Sequence, residues 1–499
     1  MVDIIIDGET LRVDEKKNLL HAVNETKKHH IPHICFHPTL PVSGNCRMCL
    51  VELGSAIKDA SGETIKWTPK LQPACNTAVR EGMHVLNMKS AKVRAFRRML
   101  MEMYLINHPL DCPVCDKSGE CTLQNYAYTY GAGKTRFAFK KRRTEKKKIS
   151  DRIIRDQNRC IHCGRCQSFF ETVTRDAPYA RVHRGSEMEF DTFRDHEWEN
   201  DYQGNTVDLC PVGALTAADF RFKRRVWYLD KKPSLCMSCA TGCAIDIHSD
   251  PNRIGEGIVR ITPRVNEKIN GSIICDRGRF GYRSGNDRTR RLLTARIGGK
   301  GSTIDAAVAA FDARLSSHTP RHIAVIASAW YSNEDNAALK DHFLSMGITD
   351  IDHRITDEQL SGSTELLDEL LISRDRHPNS LGAAEAGCRA DTPARTLIDR
   401  LGADITAAVI VLDPVLEAMD DIMTALLATK AELFIFSAHA NAITDRAAVS
   451  LPITALGESE GTFVNRIGIP QFVRRAITPP AGVLPLRDMV HRLEKKLAV

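Results

Sequence analysis

CIHCGRC, residues Cys160–Cys166, answered at a distance by CPVGAL, residues Cys210–Leu215, decides how the first half of this chain folds. Three thiols separated by two residues each crowd any single tetrahedral ion. The same spacing lets one loop wrap a [4Fe–4S] cubane whose fourth thiolate arrives on a remote Cys-Pro. A second cubane in the same module needs a further cysteine after three more residues, and that place holds Phe170. The expectation is one complete set, Cys160, Cys163, Cys166 and Cys210, and one [4Fe–4S] cluster. Zinc is the competing reading.

Three more sets flank it. His108-x3-Cys112-x2-Cys115-x5-Cys121 offers three thiolates and an imidazole, the donors of a [4Fe–4S] cluster with one histidine ligand or of a zinc site with three cysteines and one histidine. An imidazole in place of a thiolate removes one negative charge and by itself favours reduction, a sign that hydrogen bonding and solvation can reverse. Further upstream, Cys35, Cys46, Cys49 and Cys75 stand as C-x10-C-x2-C-x25-C, with Gly44 freeing the backbone before the central pair. Four thiolates in that order suit a [2Fe–2S] cluster, although plant-type ferredoxins have a four-residue first interval. Cys35-Phe36-His37 imitates half of a Rieske motif, but Cys49 stands where its second histidine would be, so His37 reads as a neighbour. Downstream, Cys236-x2-Cys239-x3-Cys243 with Cys275 fits a third [4Fe–4S] cluster, or a structural zinc knuckle. With four donors in each set, His162 and His248 read as surface or supporting residues.

Fifteen of the sixteen cysteines lie between Cys35 and Cys275, and Cys388 alone lies beyond. In a chain of 499 residues without an export signal, such clustering points to metal rather than disulfides. That length admits several domains of roughly 100–200 residues. The net charge of +7 is modest and names no partner. No run approaches the ~20 apolar residues of a membrane-spanning helix, and MVDIIIDGET lacks the regions of a signal peptide. A soluble, cytosolic or matrix-side chain is expected.

The coarse pattern predicts a hairpin over Asp3–Ile6 and Thr10–Val13 around Asp7-Gly8, and a helix over Asn18–Lys27. A second helix is expected over Ala91–Asn107, with Val93, Phe96, Leu100 and Met103 as its apolar stripe and His108 at its exit. Lys134–Lys148, with nine basic residues and one acid, reads as a solvated linker, or as a contact for nucleic acid or an acidic partner. Beyond Arg290, apolar runs at His322–Ser328, Ala407–Leu412 and Glu432–Ser437 alternate with helical patterns such as Asn333–Met346. That alternation predicts a parallel α/β sheet.

The order and spacing of the four sets, with CPVCDKSGECTLQ at Cys112–Gln124, CIHCGRC, CPVGAL and CDRGRFGY at Cys275–Tyr282, resemble the large iron–sulfur subunit of NADH:quinone oxidoreductase, respiratory complex I, in a shortened form. The second half resembles the molybdopterin-oxidoreductase fold, most visibly at EGTFVNRIGIPQ, Glu460–Gln471. The segment STIDAAVAAF after Gly301 follows that fold only loosely. The resemblance implies a multidomain α+β and α/β chain: an N-terminal ferredoxin-like β-grasp [2Fe–2S] domain (1–80), a small His/Cys [4Fe–4S] cluster domain (81–130), a bacterial-ferredoxin-like [4Fe–4S] domain (131–228), a [4Fe–4S] domain of molybdopterin-oxidoreductase type (229–285) and a truncated molybdopterin-oxidoreductase-like α/β domain (286–499).

It also implies one [2Fe–2S] and three [4Fe–4S] clusters that relay electrons from NADH and FMN on a partner subunit toward quinone, with the Cys236 set as a side branch. The implied partners are the FMN/NADH-binding subunit, a small [2Fe–2S] subunit, and ferredoxin-like and quinone-site subunits. Membrane attachment is expected only through them, on the cytoplasmic face of the bacterial inner membrane or the matrix side of an organelle. No G-x-G-x-x-G after a strand and no P-loop lysine motif is present, so no NAD is expected on this chain. The resemblance puts FMN on a partner, the second half of about 210 residues is too short to enclose a molybdopterin, and no nucleic acid is expected. Cys388, in the polar stretch GAAEAGCRADT, is expected to be a free thiol. An NAD-linked hydrogenase or formate dehydrogenase relay and a zinc-rich nucleic-acid module are the alternatives. A catalytic [FeFe]-hydrogenase chain would need more cysteines beyond the ferredoxin domains than Cys388.

Overall fold

The computed structural model describes residues 1–59, 62–192, 198–253, 257–389, 399, 401 and 404–497, and the chain divides into two compact units, Met1–Trp227 and Tyr228–Val499.

The first unit opens on the expected hairpin. Strands β1 (Val2–Ile6) and β2 (Glu9–Val13) pair antiparallel, and the turn places Asp7 and Gly8 at φ 51° and 89°. Positive φ at both central residues is what a two-residue turn matched to strand twist requires. The Asp7 carboxylate accepts the backbone N–H groups of Asn87, Met88 and Lys89, fastening the turn to the chain 80 residues on. Helix α1 (Leu19–Glu25) starts where the Asn18 side chain accepts the His21 N–H. Strands β3 (Leu50–Asp59), β4 (Gly62–Trp67), β5 (Gln72–Pro73) and β6 (His84–Leu86) complete a sheet of order β2-β1-β6-β3-β4, with β5 beside β3 and β1 parallel to β6. Ile4, Ile6, Leu20, Val23, Phe36 and Val51 fill the core beneath it.

Helix α2 (Ala91–Leu105) begins on a Ser90 cap and ends before His108, but its packed face differs from the expected stripe. Val93, Arg97 and Met101 are buried, whereas Met103 is 53% exposed. The reason is Arg97, whose guanidinium donates inward to the carbonyls of Met48 and Leu50 and to Asn87 Oδ1. A pattern of apolar residues cannot register a buried cation satisfied in this way.

Helix α3 (Thr122–Tyr130) leads into the basic stretch, which is less of a solvated linker than its composition suggests. Arg136 pairs with Glu102, Arg142 with Glu189, Lys147 with Asp191, and Lys141 donates to the C-terminal carbonyls of Leu105 and Ile106 in and beside α2. Its last three residues form β7 (Lys146–Lys148) against β8 (Ile153–Asp156). Helix α4 (Arg165–Phe169), the hairpin of β9 (Tyr179–Val182) and β10 (Glu189–Thr192), helix α5 (Asn205–Leu209) and β11 (Leu215–Ala217), which pairs with β8, close the unit.

The second unit begins with an antiparallel sheet of β12 (Asp230–Leu235), β13 (Ala244–Ser249) and β14 (Ile258–Pro263), followed by helices α6 (Asp276–Phe280) and α7 (Tyr282–Asn286). Its larger sheet contains β15 (Ala295–Ile297), β16 (Lys300–Ser302), β17 (Ile323–Ile326), β18 (Ile351–Asp352), β19 (Ala407–Leu412), β20 (Glu432–Ser437) and β21 (Val449–Pro452), in the order β16-β15-β21-β20-β19-β17-β18. The five strands β17 to β21 are parallel, as the alternation of apolar runs and helices predicts. Parallel sheets are covered on both faces. Here Val325, Val409, Val411, Phe434 and Phe436 pack toward α8 (Ile304–Leu315), α9 (Asn333–Ser345) and the C-terminal helix Leu486–Leu497. Their neighbours Ala324, Ile326, Ala408, Ile410 and Ile435 pack with Leu416, Ile422 and Leu426 on the other side. A last hairpin joins β22 (Gly461–Val464) and β23 (Pro470–Val473).

Phe434 is fully buried at the middle of β20, edge-on to Phe311 at 4.9 Å between ring centroids. Phe434→Ala is expected to cost about 3–5 kcal/mol. A lowered denaturation midpoint for the second unit, read against an unchanged first unit, checks it.

Candidate metal centres

The first set converges. The Cys35 and Cys46 thiols are hydrogen-bonded, as are those of Cys49 and Cys75, and the charge of Cys35 is felt at both Cys49 and Cys75. The bond from Cys46 holds the Cys35 thiol down at about 5, and that from Cys75 holds Cys49 at about 7; Cys46 and Cys75, the donors, are correspondingly pushed up. Gly44 at φ 62° and Arg47 at φ 57° curl the loop, and the Cys46 N–H points at Cys35 Sγ at 3.5 Å. His37 turns its Nδ1 to Thr39 Oγ1 at 2.8 Å.

In the second set, Cys115 faces Cys121, Cys112 opens the single turn Cys112–Val114, and the Gln124 N–H meets Cys121 Sγ at 3.4 Å. Burial pushes the Cys121 thiol to about 11. His108 follows α2 with Nδ1 buried and without a hydrogen-bond partner among the described residues, and burial holds its imidazole down at about 4. Such a ring is neutral near pH 7, the state in which imidazole is a ligand. The loop is clamped by Arg225, which donates to the carbonyls of Cys115 and Pro113, and by Asp116, which accepts the Phe222 N–H.

The third set shows how CIHCGRC turns its sulfurs inward. His162 and Gly164 both adopt the left-handed conformation, φ 54° and 80°, and the His162 N–H reaches Cys160 Sγ at 3.4 Å. Cys160 feels the charge of Cys163 and Cys210, Cys166 that of all three others, and desolvation raises Cys160, Cys163 and Cys166, Cys163 to about 12. Helix α5 delivers Cys210. A cavity of about 240 Å³ is lined by residues of both this set and the second, among them Tyr104, His108, Gln157, Cys160 and His162.

Cys236, Cys239, Cys243 and Cys275 form the fourth group, Cys243 feeling the charge of the other three, with burial pushing Cys236 to about 11 and Cys275 to about 12. Its loop is held by groups that the sequence reading did not single out for the task. Trp330 Nε1 donates to the Met237 carbonyl, the Arg466 N–H to Ala240, Asn465 Nδ2 to Thr241 and Gln471 Nε2 to Gly242. The segment Glu460–Gln471 thus acts as a clamp. A cavity of about 520 Å³ beside Cys236 is lined by Arg277, Tyr282, Trp330, Arg374 and His439.

The donor sets fit iron–sulfur clusters in two further respects. A Cβ at Gly278 would stand 2.6 Å from Cys236 Sγ, and one at Gly213 would stand 2.3 Å from Cys115 Sγ, so both positions need glycine for the thiols to lie where they do. N–H groups aimed at sulfur are also a recognised support of cluster thiolates. Among the described residues, no group of three or more His, Cys, Asp or Glu side chains is gathered tightly enough for one metal ion. His248 is buried against Thr262 rather than at the surface. Cys388 is a free thiol in the loop after the short helix Ser380–Glu385, but its side chain is turned inward: it is fully buried, donates to the Asn336 carbonyl at 3.3 Å, and burial raises it to about 12.

Folds and donor sets together define an iron–sulfur protein built from consecutive cluster-binding modules, and comparison with known families bears this out. Residues 1–89 match the 2Fe-2S iron-sulfur cluster binding domain, 97–136 the NADH-ubiquinone oxidoreductase-G iron-sulfur binding region, 150–216 the ferredoxin-like domain of NADH-quinone oxidoreductase subunit 3, and 229–287 the molybdopterin oxidoreductase Fe4S4 domain. The chain is 35% identical over 351 residues to the G subunit of NADH-quinone oxidoreductase from Rickettsia felis, covering 70% of this chain and 49% of the relative. It is 33% identical over 354 residues to the mitochondrial NADH-ubiquinone oxidoreductase 78 kDa subunit of Candida albicans, covering 69% and 46%. An NAD+-reducing [NiFe]-hydrogenase structure aligns with 45% of this chain and 91% of its own at 25% identity and a TM-score of 0.38. The chain belongs to the family of NADH-quinone oxidoreductase G subunits, and it spans about half the length of the relatives that it matches.

Three imidazoles of the first unit, His33, His37 and His108, are held at about 4 mainly by burial. Each stays neutral in the folded chain and takes a proton at the ordinary value of 6.5 once exposed, so stability falls as pH drops from 6.5 toward 4 and levels off below. A denaturation midpoint for the first unit that declines between about pH 7 and about pH 5 is expected; a flat profile contradicts it.

Proposed function

We propose that the four sets ligate one [2Fe–2S] cluster at Cys35, Cys46, Cys49 and Cys75 and three [4Fe–4S] clusters, at His108, Cys112, Cys115 and Cys121, at Cys160, Cys163, Cys166 and Cys210, and at Cys236, Cys239, Cys243 and Cys275. With them the chain relays electrons within an NADH:quinone oxidoreductase. The observation that carries this reading is spatial. Arg165 in the third loop donates to the Phe36 carbonyl beside Cys35, and the Thr122 N–H beside Cys121 donates to the Pro211 carbonyl beside Cys210, so the third set neighbours both the first and the second although it follows both in sequence. Three neighbouring sets suit a wire better than separate structural sites.

A bound cluster accepts and returns single electrons; the protein fixes its place and its surroundings. Buried N–H groups aimed at Sγ stabilise thiolate charge, the neutral His108 supplies one uncharged ligand, and the low-dielectric walls keep water from the sulfurs. Electrons would enter from a subunit holding NADH and FMN and a small [2Fe–2S] subunit, and leave toward ferredoxin-like and quinone-site subunits. No helix among the described residues is long and apolar enough to cross a membrane, in keeping with peripheral attachment through those partners. The cavity beside Cys236 is assigned no pterin, and the α/β region beyond it serves docking. The five domains are taken as 1–80, 81–130, 131–228, 229–285 and 286–499, with the first extended to Leu86 because β6 completes its sheet.

Anaerobically purified chain should hold about 14 iron atoms, with molybdenum, tungsten and zinc near zero. Stoichiometric zinc with about 10 iron atoms would remove one cubane from the scheme, and stoichiometric molybdenum or tungsten would return a pterin to the cavity. Cys163→Ala should abolish electron transfer per assembled complex. Cys239→Ala should delete one paramagnetic signal, weaken its domain and leave turnover per assembled complex intact. Equal losses in both variants would place the fourth cluster on the path.

A further inference from the structure

Arg165 stands inside the third cysteine loop, between Cys163 and Cys166, at the start of α4. Its guanidinium is half-buried and reaches two ways. One terminal nitrogen donates to the Phe36 carbonyl at 2.5 Å, the residue after Cys35, and the other to the Leu209 carbonyl at 3.2 Å, the residue before Cys210. It therefore ties a loop of the first set to both segments of the third. Its Nε–H is buried and has no hydrogen-bond partner among the described residues. No carboxylate among those residues pairs with it either, so its positive charge has only carbonyl dipoles for company.

The contrast with Arg159, on the other side of the same loop, is informative. Arg159 reaches toward the second set, donating to the Val114 carbonyl, but it is compensated by Asp111 at 2.6 Å and Asp156 at 3.4 Å. A guanidinium with two carboxylates adds little net field. One with none adds a full charge, and withdrawing it from water without a counter-ion is costly.

We infer that Arg165 is a positioning residue whose counter-charge is supplied by the first and third clusters themselves: it fixes the spacing of that one electron-transfer step and raises the reduction potentials of both partners. The inference rests on the proposed ligand sets. Reduction adds a negative charge to a cluster, so a fixed cation nearby favours it. The remaining Nε–H is a donor for an acceptor that the protein does not provide. Removing the charge should make both clusters harder to reduce, and leave the second cluster, beyond the neutralised Arg159, much less affected.

The test is a redox titration of the cluster signals by electron paramagnetic resonance in the assembled complex, for wild type, Arg165→Met, Arg165→Lys and, as a control, Arg136→Met at the exposed pair with Glu102. Wild-type iron content and signals come first, because too few clusters there would sink the ligand assignment rather than this inference. In Arg165→Met, the first-set [2Fe–2S] and third-set [4Fe–4S] midpoints should both fall, with the second-set midpoint nearly unmoved. Arg165→Lys, which keeps the charge and loses the two-carbonyl tie, should restore both midpoints while slowing transfer between the two clusters. Arg136→Met should change neither. Unchanged midpoints in a fully loaded Arg165→Met, or an equal fall at all three clusters, overturns the inference. If Arg165→Met fails to load, Arg165→Lys decides: wild-type midpoints uphold the role of the charge, and midpoints lowered in both clusters refute it.

Discussion

Thiolate charge must be taken out of water before a cluster can sit inside a protein, and that desolvation sets the terms for everything around it. Burial alone drives most of these thiols upward, toward their neutral form. The fold answers with two devices. Backbone N–H groups are turned onto sulfur at Cys35, Cys121, Cys160 and Cys275, which demands left-handed residues at places such as His162 and Gly164. Side-chain amides, an indole and arginines then hold the loops by their carbonyls, so the curled backbone keeps its shape.

That second device explains an otherwise odd feature of both units. Three of the four cysteine loops are gripped by a segment remote in sequence: the first by Arg97 from α2, the second by Arg225, the fourth by Asn465 and Gln471. The grip is on main-chain oxygen, leaving sulfur free for metal. In the second unit the clamp comes from β23 and the turn before it; the same hairpin is tied at Thr462 to Glu334 of α9, a helix whose Leu339 and Phe343 pack in the core under the large sheet. A rigid α/β layer without a ligand of its own thereby acquires a task in fixing the fourth loop.

Much of this was open to reading from the chain alone. The parallel strands at Ala407–Leu412 and Glu432–Ser437, the Asp7-Gly8 turn and the end of α2 before His108 lie where periodicity and turn chemistry put them. Cysteine spacing grouped the ligand candidates because chain length within a loop limits which sulfurs can meet. Long-range polar contacts were not legible. Arg97 sits among apolar neighbours because three distant oxygens satisfy it, Cys388 is core because its thiol joins the apolar cluster around Leu339 and Phe343 and donates to the Asn336 carbonyl, and the basic stretch finds carboxylates as distant as Glu102 and Asp191. None of these leaves a period or a motif. The spatial order of the first three sets is equally invisible, since nothing in the spacing says that Cys163 approaches Cys35.

The pairing of β15 with β21 has a bearing on how the chain is made. Arg296 lies opposite Ser450, so the hairpin of β15 and β16 can join the large sheet only after the strand at Val449–Pro452 has been synthesised. The first unit, by contrast, has all of its strands once residue 227 is out of the ribosome. At about 5–20 residues per second, the second unit trails by roughly 14–54 s. Through that interval three of the four cysteine sets stand complete in a folded unit, while the fourth waits on strands and a clamp that do not yet exist. Cluster loading therefore has a built-in sequence in time, with the last site maturing only after the clamp at Asn465 and Gln471 has emerged.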